Sequence, residues 1–160
     1  MATATTTTPP LAFRPARATD LAAMVALLAD DEIGRTHERV AKPLAHPYVA
    51  AFAAIAASSE QLLLVGEAAG AVVACLQLSF IPGLSYLGSW RAQIEGVRVA
   101  RDRRGQGIGS AMLRHAIELA RRRGCRMVQL TTDKRRLEAR RFYERLGFVA
   151  THEGMKLTLA

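Results

Sequence analysis

Hydrophobic positions along the chain switch repeatedly between a period of two and a period near 3.6, and each switch marks a change of element. Leu11–Ala16 alternates as a short strand. Leu21, Met24, Val25 and Leu28 then form a helical stripe, with Thr19 or Asp20 ahead of it as a cap. Residues 33–46 follow neither period and contain the breaker Pro43. Pro47–Ala57 predicts a second helix anchored by Val49, Phe52 and Ile55. Gln61–Glu67 and Ala71–Phe80 flank an Ala-Ala-Gly turn and read as a hairpin.

A loop over Ile81–Ser89 leads to a strand carrying Ile94, Val97 and Val99. From Ile108, Met112, Ala116, Leu119 and Ala120 recur at helical spacing until Gly124. Arg126–Thr132 reads as another strand. Asp133 caps a helix over about 135–146, with Ala139, Phe142, Tyr143 and Leu146 on one face and Gly147 at its end. Phe148–Thr151 and Met155–Leu159 close the order as two short strands. The order β-α-α-β-β-β-α-β-α-β-β predicts an α/β protein: a mixed sheet with helices on both faces. With 160 residues and no repeat, the expectation is one domain over 11–160 behind a flexible, threonine-rich tail at 1–10.

Charge changes this picture at one place. Residues 98–145 hold 15 of the 22 Lys+Arg and 5 of the 14 Asp+Glu, while residues 1–97 are slightly acidic. The basic block surrounds Gly105, Gly107 and Gly109, which open the long helix. The first N–H groups of a helix lack internal partners, and the helix dipole adds positive charge there. Glycines let a phosphate approach that backbone, and arginines add forked donors. A phosphorylated ligand is therefore expected at this turn. A P-loop would need a lysine after the last glycine, where Ser110 and Ala111 stand. A dinucleotide fingerprint would need a third glycine at Ser110, and only 51 residues follow Gly109. A nucleic-acid surface is disfavoured by the lack of aromatic side chains among the arginines.

The remaining pattern, R-x-x-G-x-G at Arg104, Gly107 and Gly109, resembles the pyrophosphate-binding motif of the GNAT superfamily of acyl-CoA-dependent N-acyltransferases. Ala139, Phe142, Tyr143, Gly147 and Phe148 are similar to that superfamily's A-x-x-F-Y-x-x-x-G-F signature. The resemblance covers residues 11–160 and implies the GNAT fold, with a mostly antiparallel central sheet. It implies acetyl-CoA as cosubstrate, lying in a splay between the central strand and Met127–Thr132. Backbone groups at Val97, Arg98 and Val99 would meet the pantetheine amides. Arg104 and the amides of Gly105, Gln106, Gly107, Ile108, Gly109 and Ser110 would hold the pyrophosphate, with Phe142 beside them and Arg140 or Arg141 at the cofactor's outer end. Arg136 stands where the family often carries an asparagine, so that contact is either lost or remade to a phosphate.

The resemblance further implies acetyl transfer to a primary amine of a small molecule or peptide. Glu95 is the candidate base, or a substrate ligand that moves no proton; Tyr143 is the candidate acid, or a packed core tyrosine. Asp31, Glu32, Glu38 and Glu153 would line the acceptor pocket and suit a cationic amine. A homodimer is expected from the habit of relatives. The alternative class is a non-catalytic acyl-CoA-binding module, a sensor or partner domain.

No metal is expected, because His37, His46, His115 and His152 are scattered singly and Cys75 and Cys125 are far apart. Those cysteines read as small buried hydrophobes in a reducing compartment, and no apolar stretch reaches membrane-spanning length. The expectation is a cytoplasmic protein that uses no membrane.

Overall fold

The computed structural model describes residues 10–31 and 33–159. The tail expected over 1–10 lies, apart from Pro10, outside the described residues, as does Glu32. Strands β1 (Ala12–Pro15), β2 (Gln61–Ala68), β3 (Ala71–Pro82), β4 (Trp90–Val99) and β5 (Cys125–Leu130) form one sheet in chain order. The first three pairings are antiparallel and β4–β5 is parallel. A parallel pair needs a crossover, and α4 (Ile108–Arg122) supplies it.

Side-chain alternation divides the strands between two cores. Leu64, Leu76, Leu78 and Ile94 face Met112, Leu113 and Ala116 of α4, and Phe142, Tyr143 and Leu146 of α5 (Leu137–Arg145) pack around that cluster. Val65 and Cys75 face the other way, onto Met24 and Leu27 of α1 (Leu21–Ala29). Helix α2 (His46–Ala56) starts at His46, one residue before the expected Pro47, which takes a place in its first turn, and it leans on β2. Ser85–Gly88 (α3) is a single turn, in which Tyr86 and Leu87 take left-handed φ values of 53° and 60°.

Three expectations need correction. Asp20 does not cap α1 with its side chain; the carboxylate turns back to accept from Arg17 N–H (2.7 Å) and from both terminal nitrogens of Arg14 (2.7 and 3.0 Å). A buried carboxylate goes where charged donors are, and the guanidinium outweighs a helix N–H. Asp133 likewise accepts from Arg135 N–H and sits ahead of the helix, whose first boundary residue is Arg136. The strands expected at Phe148–Thr151 and Met155–Leu159 do not form. Met155 (95% exposed), Leu157 (86%) and Leu159 (84%) carry the alternation of a strand, but no ladder among the described residues receives them. Strand character is a capacity for pairing, and without a partner it is not expressed.

Leu78 is fully buried between β3 and α4, so Leu78→Ala should cost about 2–5 kcal/mol in urea unfolding. Leu84→Ala, at a side chain 98% exposed, should stay within about 0.5 kcal/mol of the parent in the same experiment.

Candidate active site

The site begins where two strands part. The β4–β5 ladder runs from Trp90 to Ile94, opposite Cys125 to Leu130, and stops. On the other edge of β4, Gln77 faces Glu95 and Cys75 faces Arg98, so Gly96 and Val97 together oppose one β3 residue. That bulge rests on Gly96, whose φ of +61° favours glycine, and it bends β4 away from β5. The last residues of β4 therefore present an unpaired backbone edge to an open wedge. Two carbonyls along it already accept from arginines: Val97 from Arg98 Nη1 (2.9 Å) and Val99 from Arg104 Nε (3.0 Å).

Below the wedge, a 3-10 turn at Arg101–Arg103 leads into the glycines. Gly107 is the N-terminal boundary of α4 in a left-handed conformation (φ 79°), and no side chain caps the helix. The first helical bond is donated by Ala111 to Gly107, so Ile108, Gly109 and Ser110 present N–H groups without helical partners. A Cβ at Gly105 or Gly107 would meet nothing within 4 Å, which leaves open space at the cradle. At Gly109 it would lie 3.3 Å from Phe142 and 3.5 Å from Val99, so this glycine lets α4, α5 and β4 close together. Gln106 braces the turn through Asp102 O (3.1 Å). Phosphate-sized anions suit this geometry.

Two adjacent aspartates tie the basic block to the end of α1. Asp30 meets Arg101 (3.3 Å) and Arg104 (3.5 Å) beside the glycine turn. Asp31 accepts from Gly34 N–H (2.5 Å) and from Arg136 Nη2 (2.9 Å), and its second oxygen lies 3.3 Å from Arg98 Nε. The Arg98 contact is charge attraction without an aligned hydrogen bond, so that buried Nε has no hydrogen-bond partner. Burial pushes the Asp31 carboxyl up, but the Arg136 bond, the Gly34 amide and the charge of Arg98 outweigh it and hold its pKa at about 2.

Tyr143 lies within electrostatic reach of the same two arginines; burial nevertheless raises its phenol above the usual range. The ring stacks edge-on against Phe142 (5.2 Å) and Phe148 (5.9 Å). Burial also pushes the Cys75 thiol up to about 12, and both cysteines are free.

The structure thus gathers Asp31, Arg98, Arg136 and Tyr143 at one end of the wedge, and Arg104 with the glycine turn at the other. It does not bring every candidate in. Glu95 stays beside the wedge, exposed on β4 between the end of the β5 ladder at Ile94 and the bulge at Gly96, and three others stand apart from it. Glu38 accepts from the Tyr48 hydroxyl (2.7 Å), Glu153 lies in the exposed C-terminal segment, and Arg140 pairs with Glu144 (2.9 Å) on the solvent face of α5. Sequence reasoning missed the pairing of Asp30 and Asp31 with the arginines. The available signal was acids at a helix C-terminus, against the dipole. It also missed Ile33, Thr36 and Arg135, which line a cleft of about 550 Å³ with Asp31 and Arg136.

A carboxylate whose folded pKa is depressed contributes stability that is complete above its unfolded value near 4 and is lost as the pH falls toward 2. Asp31→Asn should therefore unfold in less urea than the parent at pH 7, by about 2 kcal/mol, with the gap closing between about pH 4 and 2.

Comparisons with known proteins agree with this geometry. A transcriptional regulator from Bacillus halodurans C-125, known from its crystal structure, superposes with a TM-score of 0.92 at 50% identity, over 94% of this chain and 100% of that one. A stretch of 64 residues, 40% of this chain, is 39% identical to an aminoalkylphosphonate N-acetyltransferase of Salmonella typhimurium, covering 42% of that protein. Another of 90 residues, 56% of this chain, is 34% identical to a glucosamine 6-phosphate N-acetyltransferase of Trypanosoma brucei brucei, covering 59% of it. The chain spans less than two thirds of the length of the curated relatives it matches, from 25% to 59%. The model of the acetyltransferase (GNAT) family matches residues 21–148, most of the chain, and the chain belongs to that family.

Proposed function

We propose that the chain, as a single acetyltransferase domain over 11–160, moves the acetyl group of acetyl-CoA to a primary amine of a small molecule or peptide. The observation that carries this reading is the wedge between β4 and β5 running into an uncapped, glycine-lined helix N-terminus. The cradle at Gly105–Ser110 suits the pyrophosphate, and the β4 edge at Val97 and Val99 suits the pantetheine amides. The substrates named for the Salmonella and Trypanosoma relatives carry amines, which supports an amine acceptor.

In the reaction a C–N bond forms at the thioester carbonyl and the C–S bond breaks. Glu95, exposed on β4, takes the proton from the incoming ammonium directly or through water. Backbone N–H at Val97 or a neighbour stabilises the carbonyl oxygen as charge develops. Tyr143 gives a proton to the departing thiolate and is reprotonated, through solvent, by the second proton that the nitrogen sheds as the amide forms. The phenol keeps its proton at neutral pH, and the charges of Arg98 and Arg136, which act against the rise that burial imposes, make it a better donor than burial alone would.

We also propose a cytoplasmic homodimer: the outer edge of β5 has no partner among the described residues, and the apolar C-terminal segment lies exposed. Sedimentation should return twice the chain mass of 17.4 kDa. A second reading, a regulatory acyl-CoA-binding module, is favoured by the name of the Bacillus relative.

Calorimetry and thiol release together test the two. Acetyl-CoA should bind with micromolar affinity, and Gly107→Trp should abolish binding by filling the open cradle. Tyr143→Phe should leave binding within twofold and lower turnover 10²- to 10⁴-fold. Binding without turnover on any amine would favour the regulatory module instead.

A further inference from the structure

We propose that the cleft between the α1–α2 connection and the start of α5 is an anion subsite, taking a carboxylate or phosphate group of the acceptor close to its reacting amine. This rests on the acetyl-transfer reading above and names the acceptor's chemistry.

The case begins with Asp31. As an acid in an acceptor pocket it suits a cation, yet both of its oxygens are engaged, by Gly34 N–H and Arg136 on one and Arg98 on the other. Glu38 is engaged with Tyr48. Among the described residues lining the cleft, no carboxylate is left for an incoming ammonium group.

Donors are in surplus instead. A guanidinium carries five N–H bonds. Arg136 uses one on Asp31, and Arg98 uses one on the Val97 carbonyl while its buried Nε has no aligned acceptor. Arg135 is forked onto Asp133, and the Thr36 hydroxyl donates to Ile33 O, leaving its lone pairs without use for an anion. Arg98 and Arg136 together therefore outweigh Asp31 by one positive charge among the described residues, with Arg135 and Asp133 cancelling. Converging guanidinium donors with too few acceptors are a site for a carboxylate or phosphate.

Position decides whose anion it is. The glycine turn is a second, separate cradle at the helix α4 N-terminus, with its own arginines held by Asp30. The Arg98–Arg136 cluster lies instead at the free edge of β4, where Arg98 Nη1 donates to the Val97 carbonyl (2.9 Å) and Asp31 joins Arg98 to Arg136. An anion bound there is a short distance from the reacting group, so the acceptor is compact, with its acid a few bonds from its amine. A polyamine would meet two guanidiniums at the same place, and like charges repel.

Matched acceptors test this in the full chain by thiol release: phosphoethanolamine against ethanolamine, β-alanine against its amide, and spermidine. The parent should prefer the anionic member of each pair by at least tenfold in kcat/KM. In Arg136→Gln, the anionic member's kcat/KM should fall at least tenfold more than the neutral member's, mainly through KM, and Arg136→Lys should restore part of the difference. Acetyl-CoA affinity, read by calorimetry, should move by less than twofold. Equal use of charged and neutral partners, or a preference for spermidine, would overturn the proposal. A loss of acetyl-CoA affinity in Arg136→Gln with all acceptors slowed alike would also overturn it and give the guanidinium to the coenzyme. If no amine turns over, the acetyl-transfer reading fails separately. Inorganic phosphate titrated into the acetyl-CoA-loaded protein then decides: binding that Arg136→Gln removes supports the subsite, and no binding rejects it.

Discussion

Everything chemical in this protein depends on β4 losing its neighbour. Up to Ile94 the strand is paired on both edges, and its backbone is fully engaged with the sheet. Past the bulge at Gly96 one edge is free, and a free strand edge in a folded protein is an open set of donors and acceptors. The bulge does this cheaply, because glycine takes the positive φ without a Cβ clash. The same bend directs the chain into the glycine turn, so one local irregularity sets both the wedge and the anion cradle beneath it. A regular ladder through Val99 would have paired the edge with β5 and left no room.

The wedge must also be kept open. Packing supplies part of the rigidity: Gly109, Val99 and Phe142 meet where α4, β4 and α5 converge. Charge supplies the rest. Asp30 holds the arginines beside the glycine turn, and Asp31 holds those beside Tyr143. One dipeptide at the end of α1 thus pins both ends of the wedge to the helix that covers it. Desolvating such a cluster is costly, and the cost is offset because each aspartate oxygen faces a guanidinium. Acids at a helix C-terminus are unfavourable for the helix alone, and their partners explain why they stand there.

Much of the fold was legible because it is written in local periods. The strand and helix repeats of Gln61–Phe80 and of Ile108–Ala120 correspond to β2, β3 and α4 with boundaries within a few residues. The C-terminal strands were not, because pairing is a property of two segments and Met155–Leu159 carries information about one. In the site, the glycine turn was legible as a local motif with a local reason. The Asp31–Arg136 bond joins residues 105 apart, and no period or spacing encodes which of many acids and arginines will meet. Two of the acids expected to meet the acceptor, Asp31 and Glu38, have partners within the chain. In a sequence this rich in arginine, an acid near the site is more safely read first as a clamp.

Arg136 shows how a residue that departs from a family pattern can be taken up without disturbing the fold. An asparagine at that position would offer one donor pair and one acceptor to a neutral amide chain. An arginine offers a charged fork and no acceptor. At the entry of α5, half-buried and tied to Asp31, the guanidinium cannot swing to solvent without breaking its bond. Its charge is therefore a fixed feature of the cleft beside Tyr143. It opposes the rise that burial imposes on the phenol. The clamp on Asp31 and the pull on the Tyr143 phenol are then two consequences of the same side chain.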